Sequence, residues 1–223
     1  MRISVIVPAH NEEKALPATL GALLSQTARP HEIIVVCNGC ADRTADVARL
    51  PGVTRIVTER KGVSLARNLG ARKAAGDVLL FMDADVVLAK DFLEKLGKAL
   101  KAKKRFVGSA WATPDMARYR PFFALLNAVT RLFRTTSNGM MFLPKALYEQ
   151  SGGFPEDISI NEDHLFMRAV ERLPDVSYFF FICAEAVAST RRLRKKGVLG
   201  QSLFWIRAFL TRDKRHLTYP TVR

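Results

Sequence analysis

Apolar residues along the first hundred positions fall into short blocks that alternate between two periods. Residues 3–7 (ISVIV) form a compact β-branched run, the mark of a buried strand. Residues 13–26 follow with Leu16, Leu20, Leu23 and Leu24 at helical spacing. The exchange then repeats. Residues 32–36 read as a strand, 42–50 as a helix capped by Asp42, 53–57 as a strand, and 64–75 as a helix ended by Gly76. Residues 77–82 read as a fourth strand, and 91–102 as a helix with Phe92, Leu93, Leu96 and Leu100 on one side. Strand alternating with helix implies an α/β fold, Rossmann-like, whose mostly parallel sheet carries helices on both faces.

The second half is less regular. It predicts a helix over 121–134, a strand over 138–143 and a turn at Gly152-Gly153-Phe154-Pro155. A helix from 161 to about 172, a strand over 176–188 and a helix over 195–211 complete the chain. These pieces are expected to finish the same domain, spanning 1–223, rather than to build a second one.

In sheets of this kind ligands bind beyond the carboxyl ends of the strands. Three early strands end in polar groups: Pro8-Ala9-His10-Asn11-Glu12, Cys37-Asn38-Gly39-Cys40-Ala41-Asp42, and Asp83-Ala84-Asp85. Residues two apart in an extended stretch point the same way, so Asp83 and Asp85 are expected to face one side with room at Ala84. Two carboxylates so placed repel unless a cation sits with them. Mg²⁺ or Mn²⁺ suits them, since both take carboxylate oxygens and leave places for substrate phosphates. Asp-x-Asp alone is a common triplet; its position beside two other polar strand ends is what gives it weight. A lone strand-end Asp can also accept a phosphoryl group, as in response-regulator receivers. Those chains are about half this length and place acids after the first strand, where this one has His10-Asn11-Glu12.

Composition adds a partner class. Of 223 residues, 48% are hydrophobic and 25% charged, ordinary for a globular protein, but Lys and Arg exceed Asp and Glu by 14. Anionic partners follow: nucleic acid, an anionic membrane surface, or a phosphate-bearing substrate. The basic residues are spread over many helices with no reading motif, which sets nucleic acid aside. The three cysteines, Cys37, Cys40 and Cys183, give no disulfide framework and suit a reducing, cytoplasmic setting. Cys37-x-x-Cys40 lacks the second pair or His cluster of a metal site. Residues 3–7 are too short for a signal peptide, so none is expected, and no apolar run reaches the length of a membrane span.

The stretches SVIVPAHNEE, IIVVCNGCADRT, GVSLARNLGARKAAGDVLLFMDADV and GGFPEDISINEDHLFMRAVERL together resemble the family 2 glycosyltransferases, in the family's order, from residue 3 to about 173. The resemblance implies the GT-A fold, a nucleotide-diphosphate sugar donor and a sugar, lipid-linked or other hydroxyl acceptor. It divides the chain into a nucleotide-sugar-binding half (1–110), an acceptor half (111–190) and a basic amphipathic tail (191–223). It makes Pro8, His10, Asn11 and Glu12 the first nucleotide-contacting loop. Asn38, beside Gly39, stands where the family usually has an Asp that accepts from the base, which leaves the base open. Arg67, in the ARN segment at a helix start, would meet nucleotide or diphosphate. Asp83, Ala84 and Asp85 would be the metal motif, with Asp85 the closer ligand of Mg²⁺ or Mn²⁺.

Glu162-Asp163 matches the family's acidic pair. Inverting transfer needs a carboxylate to take the proton of the acceptor hydroxyl, and the resemblance gives that role to Asp163, with Glu162 holding the acceptor or orienting Asp163. First-turn acids at a helix start are the structural alternative for the pair. Arg191 and Arg192 would offset charge on the departing diphosphate, although Leu193 replaces the Trp usual after two basic residues there. The tail mixes Arg and Lys with Trp205, Phe204 and Leu203, as in helices lying at a membrane interface, and is similar to short membrane-associated members of the family. Packing on the sheet or a dimer contact are the other readings of this segment. A non-catalytic nucleotide-sugar binder remains an alternative. Nucleotidyl transfer is disfavoured because PAHNEEKALPATL is not a glycine-rich basic loop.

Overall fold

Alternating side chains along each strand sort into two cores, one on either face of a single sheet. The computed structural model describes residues 1–136, 139–158 and 160–210, with backbone alone at 206 and 208–210. Eight strands run in the order β3-β2-β1-β4-β7-β6-β8-β5. The first four, β1 (Ile3–Ala9), β2 (Glu32–Asn38), β3 (Val53–Thr58) and β4 (Val78–Phe81), are parallel. The other four are mixed: β5 (Val86–Leu88), β6 (Phe106–Pro114), β7 (Met141–Pro144) and β8 (Ser177–Ala188). Here β7 is antiparallel to both β4 and β6, β6 is parallel to β8, and β5 is antiparallel to β8.

On one face Val5, Val7, Val35 and Leu80 meet Leu20 and Leu23 of α1 (Leu16–Leu24), Phe92 and Leu96 of α4 (Phe92–Leu100), and Phe123 of α5 (Arg120–Leu132). On the other, Ile6, Ile34, Val36 and Phe81 meet Ala66 of α3 (Val63–Lys73), Tyr148 of α6 (Lys145–Ser151) and Phe166 and Met167 of α7 (Glu162–Glu171). A one-turn helix α2 (Thr44–Val47) and a long C-terminal helix α8 (Arg191–Leu210) complete the set.

The strand order places the site. β1 has β2 on one side and β4 on the other, so the chain leaves β1 and returns to β4 in opposite directions, opening a crevice at their carboxyl ends. β1 runs two residues past the predicted 3–7. Pro8 is tolerated in this central strand because β4 pairs only as far as Ile6↔Phe81, so no partner on that side asks for the missing N–H.

The remaining differences have local causes. Pro17 in its first turn starts α1 at Leu16 rather than at 13. α2 is shorter than 42–50, spanning Thr44–Val47; Pro51 disfavours helical backbone at Leu50, which removes the end of the predicted span. Asp42 accepts from the Thr44 amide at 2.9 Å, inside the predicted capping region, while Arg43 holds the cap position. α8 begins four residues before the predicted 195 and is broken at Gly197 (φ 70°, ψ 164°). β5, β6 and α6 are additions to the predicted set. Asn138, at the start of the predicted strand 138–143, and 211–223 of the tail lie outside the described residues.

Candidate active site

The loop after β1 is held by its own polar side chains. Asn11, with left-handed backbone (φ 55°), accepts from the Ala41 amide at 2.8 Å, and the Glu12 amide donates to Thr44 Oγ1 at 2.7 Å. His10 Nδ1 lies 2.8 Å from the Asn38 carbonyl. A carbonyl can only accept, so Nδ1 carries a hydrogen.

Asn38 is buried, and its amide is engaged at both ends. Nδ2 donates to the Ala9 carbonyl at 2.9 Å, and Oδ1 accepts from the Gly62 amide at 3.1 Å. It ties the end of β1 to the start of α3, a job that needs a donor and an acceptor in one side chain. A carboxylate there would face the Ala9 carbonyl with no hydrogen to give. Beside it Gly39, at φ 57°, has no room for a Cβ, which would stand 3.0 Å from that of Lys61.

Asp83 and Asp85 sit in a turn rather than in extended chain. The strand ends at Phe81, and the Val86 amide donates back to the Asp83 carbonyl at 3.3 Å, closing a tight turn. The period-two rule holds for extended chain, and this segment has left it. Ala84 is buried, with its carbonyl on Thr19 of α1 at 2.8 Å. The closest cation differs for the two carboxylates. Asp83 Oδ1 is 3.4 Å from Arg67 Nη2, and Asp85 Oδ2 is 3.2 Å from Arg191 Nη2.

Arg67 is buried and spans two elements. Its Nη1 donates to Glu162 Oε1 at 2.8 Å, and its guanidinium stacks 5.2 Å from the centre of the Phe154 ring. Asn68, next along α3, donates to the Phe154 carbonyl at 2.9 Å and accepts from the Phe154 amide at 2.9 Å and from Tyr148 at 2.8 Å. The ARN segment thus grips the Gly152-Gly153-Phe154 turn, and through Glu162 it holds the first turn of α7. Asp163 is next in that turn, half-buried, its Oδ1 accepting from the His164 amide at 2.7 Å.

Arg191 makes a two-pronged pair with Glu12, Nη1 to Oε2 at 2.6 Å and Nη2 to Oε1, besides its approach to Asp85. Its place follows from how α8 starts. The Ser189 amide donates to the Asp85 carbonyl at 3.3 Å, and Asp115 accepts from both the amide and the hydroxyl of Thr190. Arg192 lies near enough to Asp83 and Asp85 to draw both carboxyls down.

Burial nonetheless wins at these acids. It pushes Asp83 and Asp85 above the usual carboxylate range, with Arg67 and Arg191 respectively pulling the other way. A third of the Asp83 side chain stays exposed, so water still reaches it. Burial, then the neighbouring Asp163, raises Glu162 to about 7 against the pull of Arg67.

Gly139 is a site residue that the pattern of charges does not reveal. Its backbone is left-handed (φ 63°), and a Cβ there would stand 2.1 Å from Asp83 Oδ1. Only a glycine lets the chain entering β7 pass over that carboxylate.

The polar ends of β1, β2 and β4, the ARN helix and the acidic pair of α7 converge on one edge, in chain order. A sequence model of "Glycosyl transferase family 2" matches residues 4–154. The chain belongs to that family. A relative, the 4,4'-diaponeurosporenoate glycosyltransferase of Staphylococcus haemolyticus, is 32% identical over 170 residues, covering 73% of this chain and 45% of its own. The chain thus spans under half the length of that relative.

Two solved structures share the fold. TarS (residues 1–349) of Staphylococcus aureus with UDP has a TM-score of 0.69 at 21% identity, covering 96% of this chain and 68% of its own. The mannosyltransferase PcManGT of Pyrobaculum calidifontis with GDP-Man and Mn²⁺ has a TM-score of 0.69 at 23% identity, covering 92% and 64%. The architecture is the GT-A fold expected of family 2.

Within this family 2 chain the cysteine pair has another place. Cys37 is buried in the core, where burial pushes its thiol up to about 12, and Cys40 donates to the Ala9 carbonyl. Among the described residues no three His, Cys, Asp or Glu side chains are grouped to hold a metal by themselves, and no helix is long and apolar enough to cross a membrane.

Proposed function

We propose that the chain is a glycosyltransferase moving a sugar from a nucleotide-diphosphate donor to an acceptor hydroxyl or lipid phosphate, inverting the anomeric centre, with Asp163 as general base. The observation that carries this reading is the Arg67 bridge. It joins Asp83, at the donor end of β4, to Glu162, beside Asp163 in α7, so the two carboxylate groups the reaction needs are held in one charged cluster.

The donor set fits a divalent ion. Asp83 and Asp85 offer hard oxygens, and their burial already calls for a positive charge, which Arg191 supplies at Asp85. One or two protein carboxylates with phosphate oxygens and water is the usual way Mg²⁺ is held. Mg²⁺ or Mn²⁺ bound there would supply charge against the departing diphosphate. Around it, Asn11 and Glu12 shape the nucleotide loop, Asn38 and Gly39 fix its floor, and Glu162 keeps Asp163 at the start of α7. Arg191 and Arg192 stand next to the leaving-group side. Residues 1–110 then serve the donor and 111–190 the acceptor, with the chain at the inner face of a membrane when the acceptor is a lipid phosphate.

A thermal-shift panel of nucleotide diphosphates and their sugars, with and without Mn²⁺, tests the donor. The expected result is a metal-dependent rise for one base, and no rise for any would overturn the reading. Asp163→Asn should keep that rise while transfer, followed as nucleotide release with acceptor present, falls roughly 10²- to 10⁴-fold. Transfer that survives the change would place the base elsewhere.

A further inference from the structure

α5 is built inside out for a surface helix. Its inward face, Phe123, Asn127 and Thr130, is buried, and Asn127 clamps it to β6 by pairing with both the amide and the carbonyl of Ala112, at 3.0 and 2.8 Å. The opposite face of such a helix is ordinarily polar. Here it carries Leu125, Val129 and Leu132, one turn apart, with Leu125 62% and Leu132 75% exposed. α8 repeats the pattern with Leu199 (80%) and Leu203 (66%). The two helices touch: Trp205 of α8 stacks on Phe122 of α5, ring centres 6.2 Å apart and 7° from parallel.

Charge says what covers this face. No Asp or Glu occurs between Asp115 and Glu149, nor between Glu185 and Asp213, although the chain holds 21 acids. Those two windows contain α5 and α8. Exposed Arg118 and Arg120 flank one end of α5, Arg131 and Arg134 the other, and Arg194 and Lys195 project from α8. A second copy docked face to face would oppose two acid-free basic surfaces and be repelled. A surface of anionic lipid head groups over acyl chains matches both the leucines and the arginines.

We propose that α5, together with α8, is a membrane-docking face for anionic lipid, so that the tail is not the only element that meets the bilayer. Its position ties docking to the candidate site. Phe133 and Thr135, just past α5, are hydrogen-bonded to Arg168 (3.1 Å) and His164 (2.9 Å) of α7, the helix that begins with Glu162 and Asp163. A lipid-borne acceptor lying against α5 is therefore delivered to the acceptor side. This last clause rests on the glycosyltransferase reading; the docking face does not.

Flotation of the full chain on vesicles separates the two. The expected result is co-flotation with phosphatidylcholine vesicles containing phosphatidylglycerol, little with phosphatidylcholine alone, and loss as salt is raised. Leu125→Glu combined with Leu132→Glu should lower the bound fraction roughly tenfold or more. Leu125→Ser with Leu132→Ser should lower it less. Both variants should keep the wild-type melting temperature and the nucleotide-dependent thermal shift. Wild-type chain that stays off anionic vesicles, or variants that float as well as wild type, would sink the proposal. A change from dimer to monomer in the variants, seen by light scattering with flotation unaltered, would assign the face to a second copy instead. Flotation as expected with no nucleotide response would keep the docking face and remove the donor assignment.

Discussion

Two arginines, each bridging two carboxylates, stand on either side of the Asp83–Asp85 turn, and they are built for different work. Arg67 rises from the middle of α3 and is 2% exposed, its partners Asp83 and Glu162 fixed by β4 and α7. Arg191 comes from the first residue of α8 and is 27% exposed, with Glu12 and Asp85 as partners. The first is locked by packing on both sides, with Phe154 over its guanidinium. The second hangs on a helix whose regular geometry breaks six residues later, at Gly197. Two acids of one turn thus have different settings: Asp83 is held by a buried arginine in the frame, and Asp85 by a more exposed one at the start of a helix that breaks at Gly197.

The sharpest way to break this contrast is to remove the fixed cation. Arg67→Met strands buried Glu162 and takes from Asp83 its closest cation, and loss of one member of a buried ion pair costs about 3–5 kcal/mol, to be read from chemical denaturation. Gly139→Ala attacks the same bridge from the other side. Its Cβ collides with the Asp83 carboxylate, and its left-handed backbone is strained, so a loss of about 1–3 kcal/mol is expected together with weaker nucleotide binding.

Asn38→Asp tests whether the loop beneath Glu12 depends on the amide rather than on shape. With no hydrogen to give the Ala9 carbonyl, it should lower stability by about 1–3 kcal/mol, whereas a side chain merely reading the base would leave the melting temperature alone. Arg191→Gln should do least to folding, about 1 kcal/mol or less for a partly exposed pair. Calorimetry should at the same time show tighter Mn²⁺ binding; a weaker ion affinity would contradict the idea that Arg191 is displaceable. The smallest effect is a slope. Because the folded Glu162 carboxyl lies above its usual range, its stabilising contribution is complete below about pH 4.5 and is lost as pH rises through about 7. Glu162→Gln should flatten that part of the stability curve.

The parallel half of the fold is readable from the chain because every signal there is local. Ile3, Val5 and Val7 announce a strand, and Leu16, Leu20 and Leu23 a helix, within a few residues of each other. β6 lacks that signal. Gly108, Ser109, Ala110 and Ala112 are small and weak strand formers, and Gly108 is required because a Cβ would lie 2.4 Å from the Phe142 ring. The strand exists because β7 and β8 on either side complete it, which only tertiary structure supplies.

At the site the same division holds. The acids at Asp83 and Asp85 stand out at a strand end, while Glu162 and Asp163, in the first turn of a helix, are brought to them only by the family resemblance. The partners of these acids do not stand out: the turn at Ala84 gives Asp83 and Asp85 different nearest arginines, and Arg67 reaches a Glu162 that is 95 positions away. The role of Asn68 as the clasp of the glycine turn is equally non-local.

If the proposed ion is loaded at Asp85, the positive group already seated there turns loading into an exchange rather than a simple addition. The observed affinity is then the intrinsic one reduced by the work of unseating a guanidinium from Glu12 and Asp85. Since that guanidinium belongs to the root of α8, the linkage runs both ways. On that proposal, whatever draws α8 outward would strengthen ion uptake by the same factor by which ion uptake would loosen α8, so a chain drawn against lipid would also be one primed for the proposed donor.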